Sequence, residues 1–419
     1  MNPSIIIHGI LFKSMNRSSI FNRKMDFEKS HGSYLVDKGN NEKYLDFFGQ
    51  YSTLAIGYNH KIFNSHEYIE EIKRVAHQKI TNCEILSDES SEFDKMFRKY
   101  TSNGYFSHYH YSCTGALAIE AAIKTAMDYK GKGHHSVITF KGSFHGINSY
   151  GGFLTCRFEP VKNRLKDFPK IMEKPFDNPV IRYKDSKKIV NSNFVNEVLN
   201  KIEHRIKSNN NVCAILVEPI QCTYGDYYFP NEFFTGIREI ANRYDIPLIF
   251  DEIQIGFGGT GKIWFHEHLP IVPDILVFGK KTQLSGIAVQ KQFSKIFKNS
   301  IRLEVTWDAD IIDMIRCKYI MKVLKDELIL QNVNKMANRL KSGLENIKEL
   351  KNLRNKGLIF AFDFSDRHKR DLFFNELINN QMLCNPTREK TIRLRPHLCV
   401  NKDEIDHAIK IIKTVSEKI

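Results

Sequence analysis

The chain has 419 residues, 42% of them hydrophobic, a composition that excludes disordered and fibrous classes and leaves room for roughly two or three packed units. Lys and Arg number 62 against 48 Asp and Glu, but the net charge of +14 is spread along the whole chain without a basic block, which points to small anionic ligands and away from nucleic acid. The 8 cysteines form no Cys-x-x-Cys pair and no apolar run approaches the roughly 18 residues that span a bilayer, so a cytoplasmic chain with reduced thiols and no membrane partner is expected.

The first 25 residues hold Lys13, Arg17, Arg23, Lys24 and four serines with no acid before Asp26, the composition of a mitochondrial transit segment; Met15 and Met25 are alternative starts. Tyr34–Val36 and Tyr44–Phe48 flank the turn Asp37-Lys-Gly-Asn-Asn and predict a hairpin. A helical period passes through Tyr68, Ile69, Ile72 and Val75, and a second starts near Thr114 and carries Leu117, Ala118, Ala121, Ala122 and Ala126. Val137–Phe140, Val212–Val217, Pro247–Phe250 and Ile275–Phe278 are short, near-continuous apolar runs, the pattern of strands covered on both faces. Between the middle two, Asn231 is expected to cap a helix whose buried stripe is Phe234, Ile237, Ile240 and Ala241. Strand, helix and strand at this spacing make a βαβ unit and an α/β fold. From Asp310 to about Leu350 the pattern is helical, followed by the run from Gly357 to Phe364 and a closing helix after Asp403, an α+β tail. Linkers rich in Pro or Ser and internal repeats are absent, so the parts should pack together.

The chemistry is concentrated at two predicted strand ends. Asp251, in Ile-Phe-Asp-Glu-Ile-Gln, falls at the carboxyl edge of a parallel sheet, where ligands of α/β folds bind, although an acid after a strand is more often a helix cap or a solvated turn residue. Lys280, in Phe-Gly-Lys-Lys-Thr-Gln, ends another strand and could form a Schiff base if burial or nearby charge lowers its pKa. Together they match what pyridoxal 5'-phosphate needs: a carboxylate that keeps the pyridine nitrogen protonated and an amine for the aldehyde. Gly115 and Ala116 offer backbone N–H groups for a phosphate at the mouth of a helix. Phe144 offers a ring that could stack on a heterocycle, and Arg393 with Arg395 offers planar guanidinium groups for a substrate carboxylate. The run Gly256 to Gly261 fits G-x-G-x-x-G but leads into no helix and is expected to be a loop. His108/His110 and His266/His268 lack further ligands at metal spacing, so no metal site is expected.

Taken together these residues resemble the class III aminotransferases, the pyridoxal-phosphate family of the aspartate-aminotransferase-like fold, fold type I. The resemblance runs through Tyr44-Leu-Asp-Phe, Gly115-Ala-Leu-Ala-Ile-Glu, Phe144-His-Gly, Glu218-Pro-Ile-Gln, Asp251-Glu-Ile-Gln and Phe278-Gly-Lys-Lys-Thr-Gln, and the doubled lysine is similar to that of lysine 6-aminotransferases. It implies a mainly parallel sheet in a large cofactor domain, residues 61–305, and a smaller α+β domain, residues 306–419, joined by residues 1–60. It implies that Lys280 holds the cofactor as a Schiff base and shuttles the proton, that Asp251 pairs with the ring nitrogen, and that Gln254 bonds the ring oxygen. Phe144 would stack on the ring, Gly115 and Ala116 would bind phosphate, and Arg393 would hold the substrate carboxylate. Thr306 would reach the phosphate of a partner subunit in a homodimer with shared sites. The implied activity moves the terminal amine of L-lysine, or of a related amino acid, to 2-oxoglutarate. A class III transaminase for a different amine and a pyridoxal-phosphate aminomutase are the alternatives, with a non-enzymatic basic binding protein last.

Three departures bear on substrate. Ile147 stands where lysine 6-aminotransferases have an Arg after Phe-His-Gly. Cys222-Thr-Tyr-Gly replaces Gly-Glu-Gly-Gly, whose Glu shields the active-site arginine while the terminal amine reacts, so Thr223 leaves Arg393 open to a carboxylate. Thr306-Trp-Asp-Ala replaces Thr-Trp-Gly-Gly and brings Asp308 towards a phosphate.

Overall fold

The computed structural model describes residues 20–81, 84–157, 175–184, 187–299 and 301–419, so most of the acid-free basic stretch at the start lies outside the described residues. Strands β1 (Tyr34–Val36) and β2 (Lys43–Asp46) form the expected antiparallel hairpin, with Tyr34 opposite Leu45. Helices α1 (His66–Val75) and α2 (Asp88–Thr101) are each opened by a serine, Ser65 and Ser87, whose hydroxyl accepts a first-turn amide. Strand β3 (His108–Ser112) leads into α3 (Gly115–Lys130), capped by Thr114. Then come β4 (Ser136–Ile138), α4 (Ser192–Ser208), β5 (Val212–Val217), α5 (Asn231–Arg243), β6 (Leu248–Asp251), β7 (Ile275–Phe278) and β8 (Ser285–Val289). The chain continues through α6 (Ile311–Asp326), α7 (Ile329–Leu344), β9 (Lys351–Lys356), β10 (Ile359–Asp363) and α8 (Arg367–Asn379). It closes with β11 (Met382–Leu383), β12 (Asn385–Thr387), β13 (Thr391–Leu394) and α9 (Lys402–Ser416).

The central sheet has the order β3-β8-β7-β6-β5-β4. Strands β4 to β7 pair in parallel and β8 alone runs against its neighbours. Side chains alternate across it: Leu248, Phe250, Leu276 and Phe278 fall in one hydrophobic cluster, with Phe250 against Phe234 of α5 and Phe278 against Phe97 of α2, whereas Ile249, Ile275 and Val277 fall in the cluster of α3. The α3 face is built from Ala118, Ala121, Ala122 and Ala126, small enough to bring the helix axis close to the sheet. Burying a ring such as Phe234 or Phe250 contributes about 1.5–3 kcal/mol each. A second sheet, β9-β10-β13-β12, is antiparallel throughout. In the third, β11 lies parallel to β2, which ties the N-terminal hairpin to the C-terminal part of the chain.

Several elements differ from the sequence reading. Strand β4 stops at Ile138, leaving Phe140 to bridge Phe176 alone. Pro230, fixed at φ −74° with extended ψ, occupies the cap of α5, so Asn231 falls inside the helix and its side chain caps nothing. The helical stretch from Asp310 breaks at Leu328 (φ 50°) into α6 and α7, without any Gly or Pro to announce it.

Candidate active site

The end of β6 and the end of β7 lie side by side, with Asp251 opposite Val277. By alternation Asp251 shares the face of Ile249 and so emerges under α3, at whose first turn Gly115 and Ala116 stand. After β7 the chain passes through Gly279, where a Cβ would sit 2.6 Å from Ser285 Oγ, and then turns through Lys280 at φ 58°. A non-glycine residue in this left-handed region costs about 1–2 kcal/mol, a strain that the surrounding packing has to hold. The result is a cavity of about 200 Å³ lined by Gly115, Ala116, Phe144, Asp251, Gln254 and Lys280. Six of the eight residues expected to form the site are thus brought together.

Lys280 and Lys281 part company here. Lys281 is buried, and its Nζ donates to Ser52 Oγ and to the Gln254 carbonyl, both at 3.0 Å. Lys280 Nζ has no hydrogen bond or ion pair with any described residue and faces the cavity. Burial pushes the Lys280 amine down to about 8, with the Arg393 charge adding to it, and burial together with Arg395 pushes Lys281 to about 7. Only Lys280 is both unprotonated within reach of neutral pH and free to react.

Asp251 is oriented by two donors: His145 Nδ1–H at 2.9 Å to Oδ2, and the Ile253 amide at 3.2 Å to Oδ1. With that tautomer, His145 Nε2 is left to accept from Thr139 Oγ1 at 3.4 Å. Gln254 Oε1 accepts from Arg393 Nη1 at 3.2 Å, and because a guanidinium cannot accept, this fixes the amide and frees its NH2 as a donor. Glu218, another wall of the cavity, accepts the Phe144 amide at 2.6 Å and so sets the height of that ring.

Arg393 is buried on β13 and donates to the Cys222 carbonyl at 2.8 Å; among the described residues it has no carboxylate partner and its Nε no acceptor. Burial and the neighbouring Arg395 push its pKa down to about 10. The expected pairing of Arg393 with Arg395 does not hold, because Arg395 is committed to an ion pair with Asp226 and to the carbonyls of Phe360 and Leu394. Thr223 is buried beside Cys222, and its hydroxyl also lacks a partner. Thr306 is exposed and does not line this cavity. Asp308 turns inward and accepts the Val305 amide at 2.9 Å, capping its own loop, with burial pushing its carboxyl up to about 6. Ile147 is 79% exposed.

His145, Glu218 and Ser285 are site residues that sequence reasoning passed over. The only signal was their place in or beside quoted motifs, since each partner lies far away in sequence. The glycine-rich run from Gly256 to Gly261 forms turns with no helix, as expected. Elsewhere, donor atoms of His60, Glu327 and Cys399 lie within 4.8 Å of one another. However, Lys61 Nζ holds the Glu327 carboxylate at 3.3 Å and His60 Nδ1 accepts the Ile62 amide at 3.3 Å, which leaves the ring proton on the nitrogen facing Glu327. The cluster is one ion pair, Lys61 with Glu327, beside an imidazole and a thiol that burial pushes towards their neutral forms.

The cavity fits pyridoxal phosphate on its own chemistry. The amides of Gly115 and Ala116 belong to the first turn of α3 and have no acceptor within the helix. A Cβ at Gly115 would lie 2.9 Å from Ile253 Cδ1, so only glycine keeps that mouth open. A held carboxylate and a free amine face the same space. Fold and cavity define a pyridoxal-phosphate-dependent transferase of fold type I.

The chain belongs to the class III aminotransferase family, whose sequence pattern matches residues 16–415. It is similar to the L-lysine-epsilon aminotransferase of Mycobacterium tuberculosis, 28% identical over 97% of this chain and 94% of that one. It is also similar to the 4-aminobutyrate aminotransferase of Saccharomyces cerevisiae, 29% identical over 94% of this chain and 90% of that one. The solved structure of lysine aminotransferase from M. tuberculosis superposes with a TM-score of 0.91 at 28% identity over 99% of each chain. Among the described residues no helix is long and apolar enough to cross a membrane.

Proposed function

We propose that this aminotransferase moves the terminal amino group of L-lysine, or of a related amino acid, to 2-oxoglutarate, and that it works as a homodimer with shared sites. The observation that carries the reading is one cavity lined by an amine without a bond to any described residue, Lys280, and by Gln254, behind which the buried Arg393 guanidinium forms no ion pair with a described acid. Similarity to lysine-epsilon aminotransferases supports the donor. Residues 61–305 form the cofactor domain and residues 306–419 join residues 1–60 in the smaller one, a division supported by the pairing of β11 with β2.

In this site Gly115 and Ala116 would hold the phosphate through their amides, and Phe144, which lines the same cavity, would pack against the ring. Asp251, fixed by His145, holds a proton at the ring nitrogen, and the Gln254 NH2 donates to the ring oxygen. Pyridoxal phosphate bound there supplies the electron sink that makes the proton on the substrate carbon removable. Lys280 Nζ holds the cofactor and then moves that proton, and Arg393 orients the substrate through its carboxylate. Thr306, exposed on its own subunit, serves the partner's phosphate.

With an amine near 8, the neutral fraction of Lys280 falls about tenfold per pH unit below that value. Capture of pyridoxal phosphate by the apoenzyme, followed by stopped-flow absorbance, is therefore expected to speed up about tenfold per unit to about pH 8 and then level off. An ordinary lysine would still be climbing at pH 9.

A second reading, transfer from another amino acid whose own carboxylate docks on Arg393, is favoured by the unpartnered Thr223 hydroxyl and the exposed Ile147. A donor panel with 2-oxoglutarate tests both. Glutamate is expected to form fastest from L-lysine; formation only from another amine rejects lysine and leaves the class intact. Product formed without any 2-oxo acid would indicate an aminomutase.

A further inference from the structure

Glu218 follows β5, is 7% exposed and lines the cofactor cavity. Its Oε1 accepts the Phe144 amide at 2.6 Å, and no described residue bonds its Oε2. The charged groups that face it are Asp251 on β6, Lys280 beyond β7 and Arg157, and none forms an ion pair with it. Two carboxyls lining one buried cavity disfavour each other's ionisation, and each hydrogen-bond donor to a carboxylate favours its charged form. Asp251 has two donors and Glu218 one.

We propose that Glu218 works as a neutral carboxylic acid, one oxygen fixing the Phe144 backbone and the other donating a hydrogen bond into the cofactor cavity, so that Asp251 is the single anion against the cofactor ring. Burial first, and the Asp251 charge second, push the Glu218 carboxyl well above the usual range, in agreement with this assignment. The arrangement has a physical purpose. An ionised Glu218 would share the cofactor's positive charge with Asp251 and weaken the hold on the ring-nitrogen proton, whereas a neutral acid anchors Phe144 without that competition. Glu218 is thus a positioning residue, and its role rests on the cofactor placement proposed above.

The test uses the holoenzyme and three variants, Glu218→Gln, Glu218→Asp and Glu218→Leu. Infrared spectra are expected to show the carbonyl stretch of an un-ionised carboxylic acid that Glu218→Gln removes and Glu218→Asp keeps. A full negative charge about 6 Å away at an effective dielectric of about 20 moves a neighbouring titration by about two pH units. Glu218→Gln removes no charge if the proposal holds, so the pH midpoint of the cofactor's visible absorbance should move by less than about 0.3 unit. Glu218→Leu, which removes the carboxyl acceptor of the Phe144 amide, should weaken cofactor retention by about tenfold. A midpoint shift of about one unit or more in Glu218→Gln, or an infrared spectrum that this change leaves intact, overturns the proposal. A wild-type protein without visible absorbance overturns the cofactor placement instead, and the infrared difference still decides the state of Glu218.

Discussion

Replacing Lys280 with alanine is expected to lower kcat by about 10³-fold or more, while replacing Lys281 with alanine leaves kcat within about tenfold and lowers the melting temperature instead. Acidity does not separate the two lysines, since burial pulls both far below an ordinary amine. Hydrogen bonding does. Lys281 Nζ staples Ser52, in the turn after β2, to the Gln254 carbonyl beyond β6, so alanine leaves two groups without their donor. Removing one partner of a buried bond costs about 1–3 kcal/mol, and release of a buried amine from its desolvated position keeps the total near the lower end. Among the described residues Lys280 has no such bonds to lose and is the only amine that lines the cavity, so its removal should hardly change stability and should take that amine away. Borohydride treatment followed by peptide mapping checks the assignment: label on residue 280 in wild type and in Lys281→Ala, none in Lys280→Ala. A Lys280→Ala protein that still fixed the cofactor covalently would move the role to another residue.

The distinction between those lysines was beyond the reach of the sequence, and the reason is physical. Both follow the same apolar strand, and what separates them is one residue of positive φ and an acceptor on Ser52, 229 positions away. Apolar runs did locate β5, β6 and β7, because strands buried on both faces need nearly every residue to be apolar, and so the placement of Asp251 and Lys280 was legible. Gly115 was legible for a related reason, since a threonine cap and a run of alanines announce a helix mouth. The flanking strands were not: β3 reads His-Tyr-His-Tyr-Ser and β8 begins Ser-Gly, and only the sheet around them makes them strands. The orienting contact between His145 and Asp251 spans 106 positions, and the claim of Asp226 on Arg395 spans 169. Patterns of period two or 3.6 report burial along one element, whereas these contacts are chosen by which elements meet.

Replacing Thr223 with glutamate is expected to lower kcat/KM for 2-oxoglutarate by about 10²-fold and to raise the melting temperature, and Arg393→Met should lower the same kcat/KM by about 10³-fold. Arg393 is buried, carries an unbonded Nε, and donates to the carbonyl of Cys222, the residue before Thr223. Burial and the Arg395 charge push its pKa down to about 10 against the pull of Asp226. A carboxylate at position 223 would neutralise it and fill a place where the threonine hydroxyl has no partner, hence the gain in stability. The same pairing means that every incoming carboxylate has to displace an internal one, and each tenfold loss of kcat/KM corresponds to about 1.4 kcal/mol of that competition. The two half-reactions then separate the two readings of the donor. If the terminal amine of L-lysine reacts, its carboxylate lies at the far end of the substrate and the lysine half-reaction should lose much less than the 2-oxoglutarate half-reaction. If the donor carboxylate docks on Arg393, both should fall together. An unchanged kcat/KM for 2-oxoglutarate in both variants would take Arg393 out of anion recognition altogether.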